Sequence, residues 1–272
     1  YVACDVTRAY NSASFAAQGG RPKVREVTRQ FVFLRPEILL VFDRVESLDV
    51  DFDKRFVLHG LARPIFGDNG TLVITRNGGR LLGRTLLPRM PARSVIEGFR
   101  VGDMRADPLV AVNETQGSRV EVTAARGTNR EYFLHVFDIT DTTRDALPLN
   151  ALTEDGDRVG VRVVDPDGTR AYTVLFQRTG TLGGEVRVTS SPEGSDLYRG
   201  ALGAGGMFYV PGGTDAGMAV RDASVSMDGG VVPPTEPGCS CRAAGERTNG
   251  RAAWTWALAL AGFTRLARRR KR

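Results

Sequence analysis

The sequence predicts an all-β chain, a large antiparallel β-sandwich of the supersandwich kind, and three observations carry that reading. Between residues 20 and 230 the apolar residues come in short runs cut by Gly, Pro, Asn and Asp. No window there sustains a helical period over twelve residues. Asn69-Gly70, Asn77-Gly78, Asp155-Gly156 and Asp228-Gly229 supply turn dipeptides that accept positive φ at low steric cost.

The elements follow in chain order. "RQFVFLRPEILLVFDRV" (29–45) reads as two strands around Arg35-Pro36-Glu37, because Pro36 presets its φ and has no N–H to give a ladder. "TLVITR" (71–76), "GRLLGRTLL" (79–87), "SRVEVTA" (118–124) and "EYFLHVFDI" (131–139) are further strands, with 127–130 as a hairpin loop. Residues 140–157 read as a long connection within one domain. "VRVVDPDGTRAYTVLFQ" (161–177) is a hairpin about Asp165-Pro166-Asp167-Gly168, and "GEVRVTS" (184–190) is another strand. A dozen or so strands at intervals of about ten residues make a sandwich of one domain over 1–228.

A flexible Pro/Gly linker follows over 229–250, and an apolar segment with a basic end over 251–272. The apolar run extends over 252–267 as a short helix of roughly 24 Å, against the ~20 residues of a full membrane span. Trp254 and Trp256 suit one interface, and the basic cluster at 268–272 suits the cytoplasmic side. The competing reading is an amphipathic helix folded onto the sandwich, although there is no polar face within 257–262.

Charge separates the tail from the body. The net charge is +6, but from Cys239 onward nine bases face one acid, so the 28 bases and 30 acids before it net −2. A body of that charge lacks the basic surface that phosphate binding needs, so no nucleic-acid partner is expected. Cys4 stands in the body, while Cys239 and Cys241 share the linker, so no disulfide closes within the body and no cysteine zinc site forms there. The chain opens "YVACDVTRAY", without an initiator Met or a basic-then-apolar leader, and reads as a piece whose beginning lies upstream.

Gly238-Cys239-Ser240-Cys241-Arg242, the apolar run and the terminal Arg cluster together resemble the C-terminal sorting signal of myxobacterial surface proteins, MYXO-CTERM. That resemblance implies export, display at the cell surface or release from it, a membrane contact before processing, and a sorting protease acting near Cys239 and Cys241. The two cysteines then serve processing rather than folding.

"CDVTRAY" (4–10), "VREVTRQFVFLRPEILLVFDRVES" (24–47), "KRFVLHG" (54–60), "GRLLGRTLLP" (79–88) and "SRVEVTAARGTNREYFLHVF" (118–137) occur in an order that resembles the C-terminal β-sandwich region of heparinase II/III-like polysaccharide lyases. The resemblance implies a lyase that eliminates across the C4–O bond of a uronic acid, with an acidic polysaccharide as partner. Elimination needs a base for the C5 proton, a group that neutralises the carboxylate, and an acid for the leaving oxygen. In the family these come mainly from an upstream helical toroid and a His-x-His stretch, and a divalent metal also belongs to that part. This chain has neither, so it is expected to supply scaffold and part of the cleft, to be inactive alone, and to hold no cofactor.

The candidates that remain are His59, Tyr10 and Arg29. His59 ends a strand, where an imidazole can reach a cleft; Tyr10 and Arg29 can contact a sugar or a uronate. Each also has an ordinary reading, as a rim residue, a packed ring or an ion-pair member, and His135, in "YFLHVFDI", reads as a core histidine. Asp43 and Arg44 read as a cross-strand pair on the sandwich rim. Asp5 and Thr7 read as turn supports. No Gly-x-Ser-x-Gly elbow or phosphate loop is present. A surface-anchored carbohydrate-binding or structural sandwich without chemistry is the alternative function.

Overall fold

The structure, a computed structural model, describes residues 1–17, 19–101, 104–106, 117–203 and 240–243. By internal contact the chain divides into two units, Tyr1–Gly217 with Cys239–Glu246, and Met218–Gly238 with Arg247–Arg272. All described residues belong to the first. The apolar helix expected within 251–272, most of the linker, and the turn at Asp228-Gly229 lie outside the described residues.

The chain begins with β1 (Val2–Asp5), α1 (Thr7–Tyr10), α2 (Ala13–Ala17), β2 (Val24–Leu34), β3 (Ile38–Ser47), β4 (Arg55–Gly60), β5 (Ile65–Phe66), β6 (Leu72–Arg76) and β7 (Gly79–Leu87). It continues with β8 (Ala92–Glu97), β9 (Phe99–Val101), β10 (Met104–Ala106), β11 (Ser118–Thr123) and β12 (Arg130–Asp141). The remaining strands are β13 (Asn150–Asp155), β14 (Arg158–Val164), β15 (Arg170–Gln177), β16 (Gly184–Ser190), β17 (Asp196–Leu202) and β18 (Ser240–Ala243).

An eight-stranded sheet runs in the order β18-β1-β2-β3-β12-β7-β6-β5. A five-stranded meander, β13 to β17, and a three-stranded sheet, β4-β11-β8, complete the body together with the pair β10-β9. Every described pairing is antiparallel, as the all-β reading requires.

The eight-stranded sheet is a middle layer. Val32, Leu40, Phe42, Leu134 and Val136 point from one face into a core completed by Val159, Val161, Val174, Phe176 and Val188 of the meander. Val41, Phe133 and Phe137 point from the other face onto Phe56, Val120 and Val122 of the three-stranded sheet. Burial on both faces explains why β3 and β12 read as near-continuous apolar runs, while the outer strands alternate. Each fully buried side chain of this size contributes about 1.5–3 kcal/mol relative to exposure.

Turn chemistry positions the ladders. Asn77 and Gly78 both take positive φ, 51° and 86°, and form the two-residue hairpin between β6 and β7. Two connections differ from the sequence reading. Residues 127–130 are not a hairpin loop, because β11 and β12 belong to different sheets; here the chain crosses between layers, and Asn129 pins the crossing through Nδ2 to the Ser47 carbonyl at 3.0 Å. Within 140–157, residues 150–155 are paired as β13 on the edge of the meander. Their composition, "NALTED", is too polar to announce a strand.

Candidate functional site

Asp5 and Thr7 organise the entry into α1. The Asp5 carboxylate accepts the Thr7 backbone N–H at 2.9 Å, and the Thr7 hydroxyl accepts the Val27 N–H at 2.9 Å, so the pair ties the loop to β2. That places Tyr10 at the end of α1, half exposed, within electrostatic reach of Arg29 on β2. Two of the three sequence candidates are therefore neighbours.

Arg29 is already engaged. Its Nε and Nη2 each donate to the Asp43 carboxylate of β3 at 2.7 Å, a bidentate pair across directly opposed residues. Its guanidinium lies 4.9 Å from the centre of the Phe56 ring. Burial pulls the Arg29 guanidinium down, but the hydrogen-bonded Asp43 carboxylate more than offsets this and leaves it raised. Asp43 and Arg44 do not form the rim pair read from the sequence. Adjacent residues of a strand point to opposite faces, so Asp43 meets Arg29 on one face while Arg44 meets Glu26 on the other, and both are buried.

His135 shares the face of Arg29. Its ring lies 3.8 Å from that of Phe56, between Phe133 and Phe137, and Nδ1 lies 3.1 Å from the Thr85 hydroxyl. Nε2 has no partner among the described residues. Burial, reinforced by the positive charges of Arg29 and Arg93, lowers its pKa to about 3. This imidazole is neutral at physiological pH and sealed in the core, as its apolar neighbours in the sequence indicate.

His59 stands elsewhere. On β4 the side chains of Phe56 and Leu58 turn inward, so His59 projects from the outer face, opposite Arg119 of β11. The three-stranded sheet lies between it and Arg29. The alternation of its own strand therefore keeps His59 apart from Tyr10 and Arg29.

An open, polar concavity lies on the opposite face of the eight-stranded sheet. It is lined by Asp5, Thr7, Arg8, Arg25, Arg44 and Glu46, among others. Arg44 is buried within this lining; its Nη2 donates to Glu26 and, at 2.9 Å, to the Gly180 carbonyl. Arg44 Nε and Nη1 have no acceptor among the described residues. Arg130 and Arg25 hold the Glu46 carboxyl below the usual carboxylate range. The basin therefore presents charged groups of both signs, and the two unpartnered Arg44 nitrogens are buried in its wall. No family model matches the chain, and no curated protein matches it. Among the described residues no group of His, Cys, Asp and Glu is placed to hold a metal ion, and no helix is long and apolar enough to cross a membrane.

The sequence reading missed Arg8, Arg25 and Arg44 as candidate ligand-binding residues. The signal for Arg44 was present as an arginine inside an otherwise apolar strand, "ILLVFDRV", where a charge must find partners or a ligand.

Proposed function

We propose that this chain is the sandwich portion of an exported polysaccharide lyase acting by β-elimination on a uronic-acid-containing polysaccharide, and that it contributes glycan-binding surface rather than the proton-transfer groups. The observation that carries the binding half is the basin at Arg44, with Arg8 and Arg25 in its lining. Guanidinium donors in a polar concavity suit a sugar carboxylate, which accepts bidentate hydrogen bonds. The segments that resemble the lyase sandwich, 4–10 and 24–47, also supply most of that lining.

The reaction half rests on the resemblance. A base removes the C5 proton, the electron pair forms the C4–C5 double bond, the C4–O bond breaks, and the leaving oxygen is protonated. An arginine on the carboxylate stabilises the charge that develops beside C5. In this reading the base and the acid lie outside residues 1–272. The alternative, a surface-anchored carbohydrate-binding sandwich without chemistry, is favoured by the placement of the histidines, one sealed and one on an outer sheet face.

Calorimetric titration of the chain with a uronate oligosaccharide and with a neutral one separates these claims. Arg8→Ala and Arg25→Ala should each weaken uronate binding about fivefold, the loss of ~1 kcal/mol expected for a solvent-exposed charge contact, and leave neutral binding unchanged. Equal binding of both glycans, or indifference to both substitutions, refutes the basin assignment. Unsaturated-uronate absorbance produced by the full-length protein distinguishes the lyase from the binding module.

The sorting resemblance adds a location, the cell surface or the medium after processing at Cys239 or Cys241. Fractionation of cells producing the full-length protein should find it there, and retention inside the cell would contradict this.

A further inference from the structure

Strand β18 brings a second cysteine back to the first. Its register sets Cys241 directly opposite Cys4 of β1, flanked by Arg242 opposite Ala3 and Ser240 opposite Asp5. Directly opposed residues of an antiparallel pair lie on one face of the pleat with Cα atoms about 4.5–5.5 Å apart. A disulfide requires a separation of about 4.4–6.8 Å. The same row continues inward, since Cys4 is opposite Arg29 of β2, and Arg29 is opposite Asp43 of β3. Cys4 is buried and interacts electrostatically with the Arg29 guanidinium. The thiolate is the nucleophile of disulfide exchange.

We propose that Cys4 and Cys241 form a disulfide that clamps the C-terminal segment to the edge of the eight-stranded sheet. The oxidant is a low-molecular-weight disulfide such as oxidised glutathione. One cysteine thiolate attacks its S–S bond, forming a mixed disulfide and releasing one thiol. The second cysteine thiolate then displaces the other thiol and closes the Cys4–Cys241 bond. Two protein thiols lose two electrons and two protons, and the oxidant gains both as two thiols. Cys241 is thereby taken from processing, and Cys239 is the cysteine left for it. The clamp does not depend on the glycan reading.

The test uses the full chain, folded in a glutathione redox buffer, alkylated with iodoacetamide and digested with trypsin. Cleavage after Arg8, Arg221 and Arg242 yields peptide 1–8, which holds Cys4, and peptide 222–242, which holds both other cysteines. Mass spectrometry should find the two peptides linked, with the link lost on reduction, retained in Cys239→Ser and absent from Cys241→Ser. Circular dichroism of both variants checks that each keeps its β structure. Three alkylated cysteines, a bond within peptide 222–242, or a link that survives Cys241→Ser but not Cys239→Ser each overturns the proposal.

Discussion

His135 carries an imidazole whose charge is unaffordable where it sits, with Phe56, Phe133 and Phe137 around the ring and Arg29 and Arg93 near enough to repel a proton. Its folded pKa, about 3, lies below the unfolded value near 6.5. The unfolded chain therefore binds a proton that the folded chain refuses in the window between those values. Stability contributed by the neutral ring is complete above the unfolded pKa and is lost as pH falls through the window, at about 1.4 kcal/mol per pH unit. Urea unfolding of His135→Gln between pH 7 and pH 4 should show a shallower acid decline than the parent. Parallel declines would mean that the imidazole titrates normally. The sealed position of this residue was legible in "YFLHVFDI", whereas the outward turn of His59 was not, because a strand end looks the same from either face until its neighbours are placed.

At the scale of elements, close approach decides what the meander tolerates. Gly160 on β14 lies opposite Leu175, and a Cβ there would overlap the Val174 carbonyl of β15. Backbone cannot step aside as a side-chain tip can, so Gly160→Ala should cost about 3 kcal/mol. The midpoint of urea unfolding should fall at an unchanged m-value, and a variant as stable as the parent would mean that β14 and β15 are not paired in this register. Strand boundaries were readable where turn chemistry was explicit: β7 and β16 coincide with the runs 79–87 and 184–190. β13 was hidden because an edge strand that buries none of its residues fully needs little apolar content. The pairing of β1 with β18 was illegible, since register between the two ends of a chain leaves no local pattern. The basin at Arg44 shared that limit, because its lining is assembled from β1, α1, β2, β3 and the turn at Gly180.

For the whole molecule, a sheet covered on both faces should open last. Amide exchange followed by mass spectrometry should find the slowest peptides in β3 and β12 and faster ones in β4 and β8, which have one covered face and border solvent. Equal exchange across these strands would contradict the three-layer arrangement. The order of the central sheet also has a consequence for how the protein is made. β12 lies between β3 and β7 yet follows both in the chain, so each keeps one flank open until residue 141 has been synthesised. At a translation rate of about 5–20 residues per second, the flank of β3 waits on the order of 5–20 s for its neighbour. During that interval the newborn chain presents two unsatisfied apolar ribbons, which makes it a natural client for a chaperone that grips extended segments.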